Sequence, residues 1–207
     1  INLMYSQSKL SIMFLYMLAY PIMLEIDYVL NLWLGTEIPE YTASFIRIII
    51  LISFVNNMNA SVSAVVHATG NMRKYQLTGC IINLATLPVA YYALKFGCVP
   101  NSVFWISLVF TILMQTACFF VLRTLIAFSI RRYMRQVVFP FVLVIATSFS
   151  IPLLPYNCIE VGFLRFSIVT IVALLSTGFS FYFIGLNKQE KVMAKSMLLK
   201  LVRILKL

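Results

Sequence analysis

A chain of 207 residues in which 62% of the residues are hydrophobic and 11% are charged has too little polar surface for a water-soluble domain. Its mean hydropathy is +0.96, which indicates a protein whose solvent is the lipid bilayer. The net charge is +10, but the basic residues are spread over separate loops without a recognition module, so we expect no nucleic-acid binding. The chain begins at Ile1 with no signal-peptide pattern, and we expect it to be part of a longer protein.

Hydrophobic stretches taken in chain order predict six membrane-spanning helices. Their approximate bounds are 10–34, 42–69, 75–96, 103–125, 137–154 and 163–186. Each is close to the ~20 residues that cross a bilayer core. Pro21 is expected to kink the first span, and the fifth span is the shortest of the six. The predicted fold class is therefore all-α: a polytopic transmembrane helix bundle over residues 1–186, followed by a tail over residues 187–207.

The stretch over residues 25–47 holds four of the six acidic residues, although almost everything on either side is apolar. Gly35 and Pro39 interrupt the helical pattern, so the stretch predicts the end of one helix, a turn and the start of another. Trp33 and Tyr41 flank the turn, as aromatic residues do at a membrane–water boundary. We therefore predict a helical hairpin whose tip lies at a membrane surface.

The basic residues indicate how the spans are oriented. Of the 16 Lys and Arg residues, 13 fall on one side of the predicted membrane. These are Lys9, Arg73, Lys74, Arg123, Arg131, Arg132, Arg135, Lys188, Lys191, Lys195, Lys200, Arg203 and Lys206. Because loops rich in Lys and Arg stay in the cytoplasm, both ends of this chain are predicted to be cytoplasmic.

Residues 187–207 have the pattern of a basic amphipathic helix. Lysine and arginine side chains project to one side of a helical wheel, and methionine, leucine and isoleucine side chains project to the other. Such a helix lies flat on a membrane surface and is attracted by anionic lipids. We interpret the tail as a membrane anchor; a docking helix for a partner enzyme is the alternative.

Arg47, Asn57 and Ser61 are the candidate substrate-binding residues. Arg47 lies ~9 Å along the second span from Tyr41, at a depth where a charge is costly. It either extends its head back to the headgroups or lines a water-filled cavity and grips phosphate with its guanidinium. Asn57 and Ser61 share its wide helical face of small and polar residues, a pattern that close helix packing also produces.

Glu25 and Asp27 are the candidate ion-coupling residues or charge partners. They are two positions apart and point to nearly opposite sides of a helix, so they do not form a paired acid–base site. Either could bind a proton or sodium ion, or pair with Arg47 while a cavity is empty. The alternative is that the first span ends early and both carboxylates lie in the interface.

The sequence carries no recognisable catalytic or metal-binding pattern. His67 is the only histidine and the four cysteines are scattered, so no metal-ligand constellation is predicted. There is no phosphate-cradling glycine loop, nucleophile elbow or zinc signature. With so few acids, we expect the protein not to be an enzyme and to need no cofactor.

Three segments resemble bacterial polysaccharide flippases. They are Trp33-Leu34-Gly35 followed by Pro39-Glu40-Tyr41-Thr42, Phe45 and Arg47; Ala68-Thr69-Gly70-Asn71-Met72-Arg73-Lys74-Tyr75-Gln76; and Asn83-Leu84 followed by Leu87-Pro88 and Tyr91. In this order and spacing they are similar to the O-antigen and capsule flippases of the multidrug/oligosaccharidyl-lipid/polysaccharide exporter superfamily. The likeness is sharpest from Pro21 to Tyr91.

The resemblance implies the C-terminal part of a transporter in the bacterial inner membrane. The implied substrate is an oligosaccharide linked to a polyprenyl pyrophosphate, which is moved to the outer leaflet by alternating access for lipopolysaccharide or capsule biosynthesis. Two rival functions are a cation-coupled drug or ion antiporter that uses Glu25 or Asp27, and a non-transporting scaffold for glycan-assembly enzymes. Flux of a cationic drug would favour the first, and a copurifying glycosyltransferase would favour the second.

Overall fold

A computed structural model describes residues 2–35, 37–70, 72–125, 128–187 and 190–191. Within these ranges the chain is all-α, as the sequence predicts, and it forms seven helices, because the first of the six predicted spans is divided in two. They are α1 (Asn2–Leu24), α2 (Ile26–Leu34), α3 (Thr42–Thr69), α4 (Arg73–Lys95), α5 (Asn101–Leu125), α6 (Ile130–Cys158) and α7 (Phe163–Gly185). Nearly all of the predicted amphipathic tail lies outside the described residues.

Five helices, α3 to α7, are long and apolar enough to cross a membrane. The pair α1 and α2 makes a sixth span if its two parts are counted together. Many large apolar side chains on these helices are exposed, including Leu84, Leu87, Leu175 and Phe179. In a bundle surrounded by lipid such side chains face acyl chains, so their exposure is the expected arrangement.

The predicted first span, 10–34, is wrong in its bounds. The helix α1 begins eight residues earlier, at Asn2, and α2 is turned from it by 74°. Pro21 lies inside α1, and the break falls at Glu25, whose backbone leaves helical geometry with φ −102° and ψ 24°. The amide of Glu25 still bonds the Pro21 carbonyl at 3.1 Å. The side chain at this bend, that of Glu25, is held in a buried ion pair, as described below.

The predicted fifth span, 137–154, is also wrong in its bounds, because α6 runs over 29 residues and is the longest of the five unbroken candidate spans. Hydropathy alone placed the start of the predicted span after Arg131, Arg132 and Arg135. Their side chains are exposed, however, so the backbone can stay helical through them. One π-helical turn, Met134–Val138, and a bend at Phe149 interrupt its regular geometry. Pro152 has no amide to bond the Ser148 carbonyl, which explains the position of the bend.

The helix α1 lies at the centre of the bundle and packs against α3, α6 and α7, whereas α5 packs between α3 and the peripheral α4. Polar contacts also tie α1 to the bend of α6. The Tyr20 hydroxyl donates to the Phe149 carbonyl at 2.6 Å, and the Tyr16 and Ser148 hydroxyls lie 3.2 Å apart. Because no water satisfies a bent backbone in lipid, these tyrosines stabilise the interruption in α6.

The close approach of α7 to α1 depends on a glycine. A methyl group at Gly185 would lie 2.7 Å from Met13 Sδ and 2.8 Å from the Phe181 ring. The same change at Gly178 would meet Met17 Sδ at 4.0 Å, an ordinary contact. We expect Gly185→Ala to lower the unfolding free energy by roughly 1–3 kcal/mol, since overpacking displaces both neighbours.

Gly178→Ala is the matched control, because it makes the same chemical change on the same helix. Thermal unfolding in detergent compares the two variants, and a similar melting temperature for both would contradict the close contact at Gly185.

The two ends of the bundle differ in charge. The acidic end carries Glu25, Asp27 and the α2–α3 turn, and the basic end carries the α3–α4 and α5–α6 loops. At the basic end a buried ion pair joins α1 to the residues after α7. Lys9 Nζ contacts Glu190 Oε2, and the two side chains are 2% and 9% exposed. The same carboxylate oxygen accepts the Asn187 backbone amide at 2.8 Å.

The Glu190 pair makes stability depend on pH. Burial by itself raises the pKa of the Glu190 carboxyl, but hydrogen bonds from Lys9, the Asn187 amide and the Ser6 hydroxyl, with the Lys9 charge, bring that pKa below its ordinary value. A depressed pKa stabilises the fold above the unfolded-state pKa, and this contribution is lost as the pH falls through the folded-state pKa. We therefore expect Glu190→Gln to be less stable than the wild type at neutral pH.

The difference in unfolding free energy between the wild type and Glu190→Gln should shrink below about pH 4.3, the ordinary glutamate pKa. Chemical unfolding in detergent at a series of pH values measures it. A difference that stays constant from neutral to acid would show that the Glu190 charge does not stabilise the fold.

Candidate substrate-binding face and its ion pairs

Arg47 and Asp27 form an exposed ion pair at the acidic end. The guanidinium of Arg47, on α3, donates from Nη2 to Asp27 Oδ2, on α2, at 2.9 Å. The side chains are 41% and 68% exposed, so solvent screens the attraction and the pair contributes only ~0–1 kcal/mol. The guanidinium has five N–H donors and this contact uses one of them. A ligand with a stronger negative charge could therefore displace Asp27 at little cost.

Asn57 and Ser61 do not join Arg47 in a compact site. By helical rise they lie ~15 Å and ~21 Å from Arg47 along α3. The Asn57 side chain is half-buried and donates to the Ser53 carbonyl of its own helix at 3.1 Å. Ser61 is 2% exposed, beside fully buried residues of the core. The three predicted residues thus follow one helix face, with Arg47 at its exposed end and Ser61 in the packed interior.

Glu25 forms a second ion pair, and this one is buried. Arg165 Nη2, at the start of α7, donates to Glu25 Oε2 at 2.8 Å, and the two side chains are 12% and 1% exposed. The guanidinium carbon lies 4.7 Å from the centre of the Tyr156 ring, near the end of α6. Within the described ranges, Glu25 Oε1 and Arg165 Nε have no hydrogen-bond partner. The pair joins the α1–α2 bend to α6 and α7.

The sequence reasoning did not identify Arg165 as a site residue. A carboxylate buried in an apolar chain needs a cation nearby, because an unpaired buried charge is very costly. That requirement, applied to Glu25, was the signal that pointed to a residue such as Arg165.

The two carboxylates are therefore paired with arginines on different helices. Glu25 is held by α7 and Asp27 by α3, although only Ile26 separates them in sequence. Ion pairs thus hold Glu25, immediately before the short helix α2, and Asp27, in its first turn. One tie is buried and the other is accessible to solvent. Because it is buried, the Glu25–Arg165 pair is suited to holding the bend in place. Because it is exposed, the Asp27–Arg47 pair is suited to exchanging its carboxylate for a ligand.

Over the described ranges, no group of three or more His, Cys, Asp and Glu side chains is placed to hold a metal ion. The four cysteines are free thiols, and Cys118 alone among them is buried.

The length and hydropathy of its helices make this chain a polytopic helical membrane protein. No family model matches it, and neither a curated protein nor a solved structure matches it. The resemblance to polysaccharide flippases stays a prediction that rests on the three short segments.

Proposed function

We propose that this chain is part of a transporter that moves a polyprenyl-pyrophosphate-linked oligosaccharide across the bacterial cytoplasmic membrane. The observation that carries the proposal is the pairing of Arg47. A cation on a membrane-spanning helix is accessible to solvent and is matched only by an exposed, screened carboxylate. A pyrophosphate carries more charge than one carboxylate and accepts both arms of a guanidinium, so it displaces Asp27 from Arg47.

The face of α3 that continues from Arg47 offers polar groups to the oligosaccharide part of the substrate. Asn57 and Ser53 supply side-chain amide and hydroxyl groups along α3, and sugars are bound by such neutral hydrogen-bonding groups. The lipid tail stays in the bilayer, which removes the cost of carrying it through the bundle. We assign Arg47 to phosphate recognition and Asn57 to sugar contact, with Ser61 deeper on the same face.

A cation-coupled antiporter is the second candidate, and the exposure of Asp27 favours it. A carboxylate that is 68% exposed and shares one arginine can take up a proton or sodium ion when a substrate occupies Arg47. Vesicles loaded with a cationic dye test this directly. Proton-driven dye export without movement of any lipid-linked sugar would support the antiporter and contradict the glycolipid transporter.

The test of the proposed function uses the full-length protein reconstituted in vesicles. A fluorescent polyprenyl-pyrophosphate oligosaccharide is placed in the bilayer, and a membrane-impermeant quencher reports its movement between leaflets. We expect movement of this lipid and not of a matched polyprenyl alcohol, since the alcohol lacks the phosphates that Arg47 recognises. Equal movement of both lipids, or movement of neither, would contradict the proposal.

The orientation is a separate prediction. We place the basic end in the cytoplasm, so Arg73 and Arg132 face the cytoplasm while Glu37, Asn101 and Asn157 face the other side. Single cysteines at these positions, in a cysteine-free background, are labelled with an impermeant thiol reagent in intact cells and in inverted vesicles. Labelling of position 37 from the cytoplasmic side alone would reverse the orientation and the proposed direction of transport.

A further inference from the structure

At the basic end of the bundle, a cavity of about 500 Å³ opens between the start of α6 and the residues that follow α7. We call it the arginine cavity. Its polar lining residues are Ser129, Arg131, Arg132, Arg135, Gln136 and Asn187. Three arginine residues thus line one cavity, at the opposite end of the bundle from Arg47.

Local structure explains why these arginines share a cavity. Arg131 and Arg132 are four and three positions from Arg135, and side chains at these spacings lie on one helix face. The Ser129 hydroxyl accepts the Arg132 amide at 3.4 Å and so caps the start of α6. Between them, Tyr133 is fully buried and donates its hydroxyl to the Met58 carbonyl of α3 at 3.3 Å. The buried tyrosine fixes the rotation of α6 and leaves the exposed arginines on the cavity side.

The described part of the chain supplies no counter-ion for these arginines. All six acidic residues of the protein lie in that part. Five belong to the acidic end: Glu25, Asp27, Glu37, Glu40 and Glu160. The sixth, Glu190, is occupied by Lys9, and none of the three described ion pairs includes an arginine of the cavity. Within the described residues this concentrated positive charge is not neutralised, so it attracts anions.

We propose that the arginine cavity binds the headgroup of an anionic lipid that carries two phosphates. Guanidinium forks match phosphate oxygens bidentately, and three of them balance more than one negative charge. Gln136 and Asn187 add amide donors to the phosphate oxygens.

The position of the cavity favours a lipid over a soluble phosphate. Met134 and Phe139, one residue before and four residues after Arg135 on α6, are 47% and 59% exposed, so exposed apolar side chains adjoin the cavity arginines in the chain. Basic pockets between membrane helices at the headgroup level take polyanionic lipids in this way. The site lies at the other end of the bundle from Arg47 and shares no residue with the proposed substrate-binding face.

The test measures lipid retained by the whole protein after release from nanodiscs, using native mass spectrometry. The nanodiscs contain phosphatidylcholine with a minor share of diphosphatidylglycerol. The variant Arg131→Gln/Arg132→Gln/Arg135→Gln removes the cavity charges, and we expect at least a roughly tenfold lower retention of diphosphatidylglycerol. The matched control Arg73→Gln/Lys74→Gln/Arg123→Gln removes three charges from the same end outside the cavity lining, and should retain the lipid as the wild type does.

Equal losses in the two triple variants would show diffuse attraction to the surface and overturn the site, and so would no loss in either. Added inorganic pyrophosphate should not displace the lipid; displacement would assign the cavity to a soluble phosphate instead. The variant Arg131→Lys/Arg132→Lys/Arg135→Lys keeps the charge if the glutamine variant fails to fold. Reduced retention in the lysine variant supports guanidinium recognition, and wild-type retention overturns it.

Discussion

Replacing Arg165 with methionine is expected to lower the unfolding free energy by roughly 3–5 kcal/mol, because it leaves the Glu25 carboxylate buried without its cation. Glu25 is 1% exposed at its side chain, so water cannot replace the lost partner. Methionine keeps much of the apolar stem that packs near Tyr156 and removes the charge. Denaturant unfolding in mixed micelles gives the free energy directly.

The exposed pair provides the matched control for this change. Asp27→Asn breaks an ion pair of nearly the same length at the same end of the bundle, yet should cost only ~0–1 kcal/mol. The double variant Glu25→Gln/Arg165→Met should recover part of the lost stability, since neither charge is then left unpaired. Equal losses for Arg165→Met and Asp27→Asn would show that burial does not distinguish the two pairs.

Under the proposed function, replacing Arg47 with alanine is expected to lower glycan export by about tenfold to a hundredfold in cells that depend on this protein for export. A charge-assisted hydrogen bond to a phosphate is worth roughly 1.5–3 kcal/mol, which sets the expected loss of substrate affinity. Arg47→Lys keeps the charge but loses the planar fork, so it should recover only part of the activity. Expression should be unchanged, because the Asp27 contact adds little stability.

Lys95→Ala is the control for charge at the acidic end. Lys95 is exposed at the end of α4 and takes part in none of the described ion pairs. The measurement is surface glycan in cells that lack their own flippase, with protein level checked in the membrane fraction. Wild-type export by Arg47→Ala would mean that Arg47 only reaches back to the headgroups, and the assignment to phosphate recognition would fail.

The sequence by itself determined the class of protein and most of its helices. Long apolar stretches can satisfy their backbone in lipid only as helices, so hydropathy predicted α3, α4, α5 and α7 to within a few residues. The helix-breaking residues Gly35 and Pro39 predicted the turn between α2 and α3, because such residues interrupt a helix whatever it packs against. These features depend on nearby residues alone.

Only the tertiary structure decided how the charges are partnered. Glu25 meets Arg165 across 140 positions, and Lys9 meets Glu190 across 181. Helical periodicity shows which face a side chain occupies, but it carries no record of which helix packs against that face. For the same reason, hydropathy extended the first span through the Glu25 bend. A bend anchored by a distant cation depends on packing, and neighbouring residues do not encode that packing.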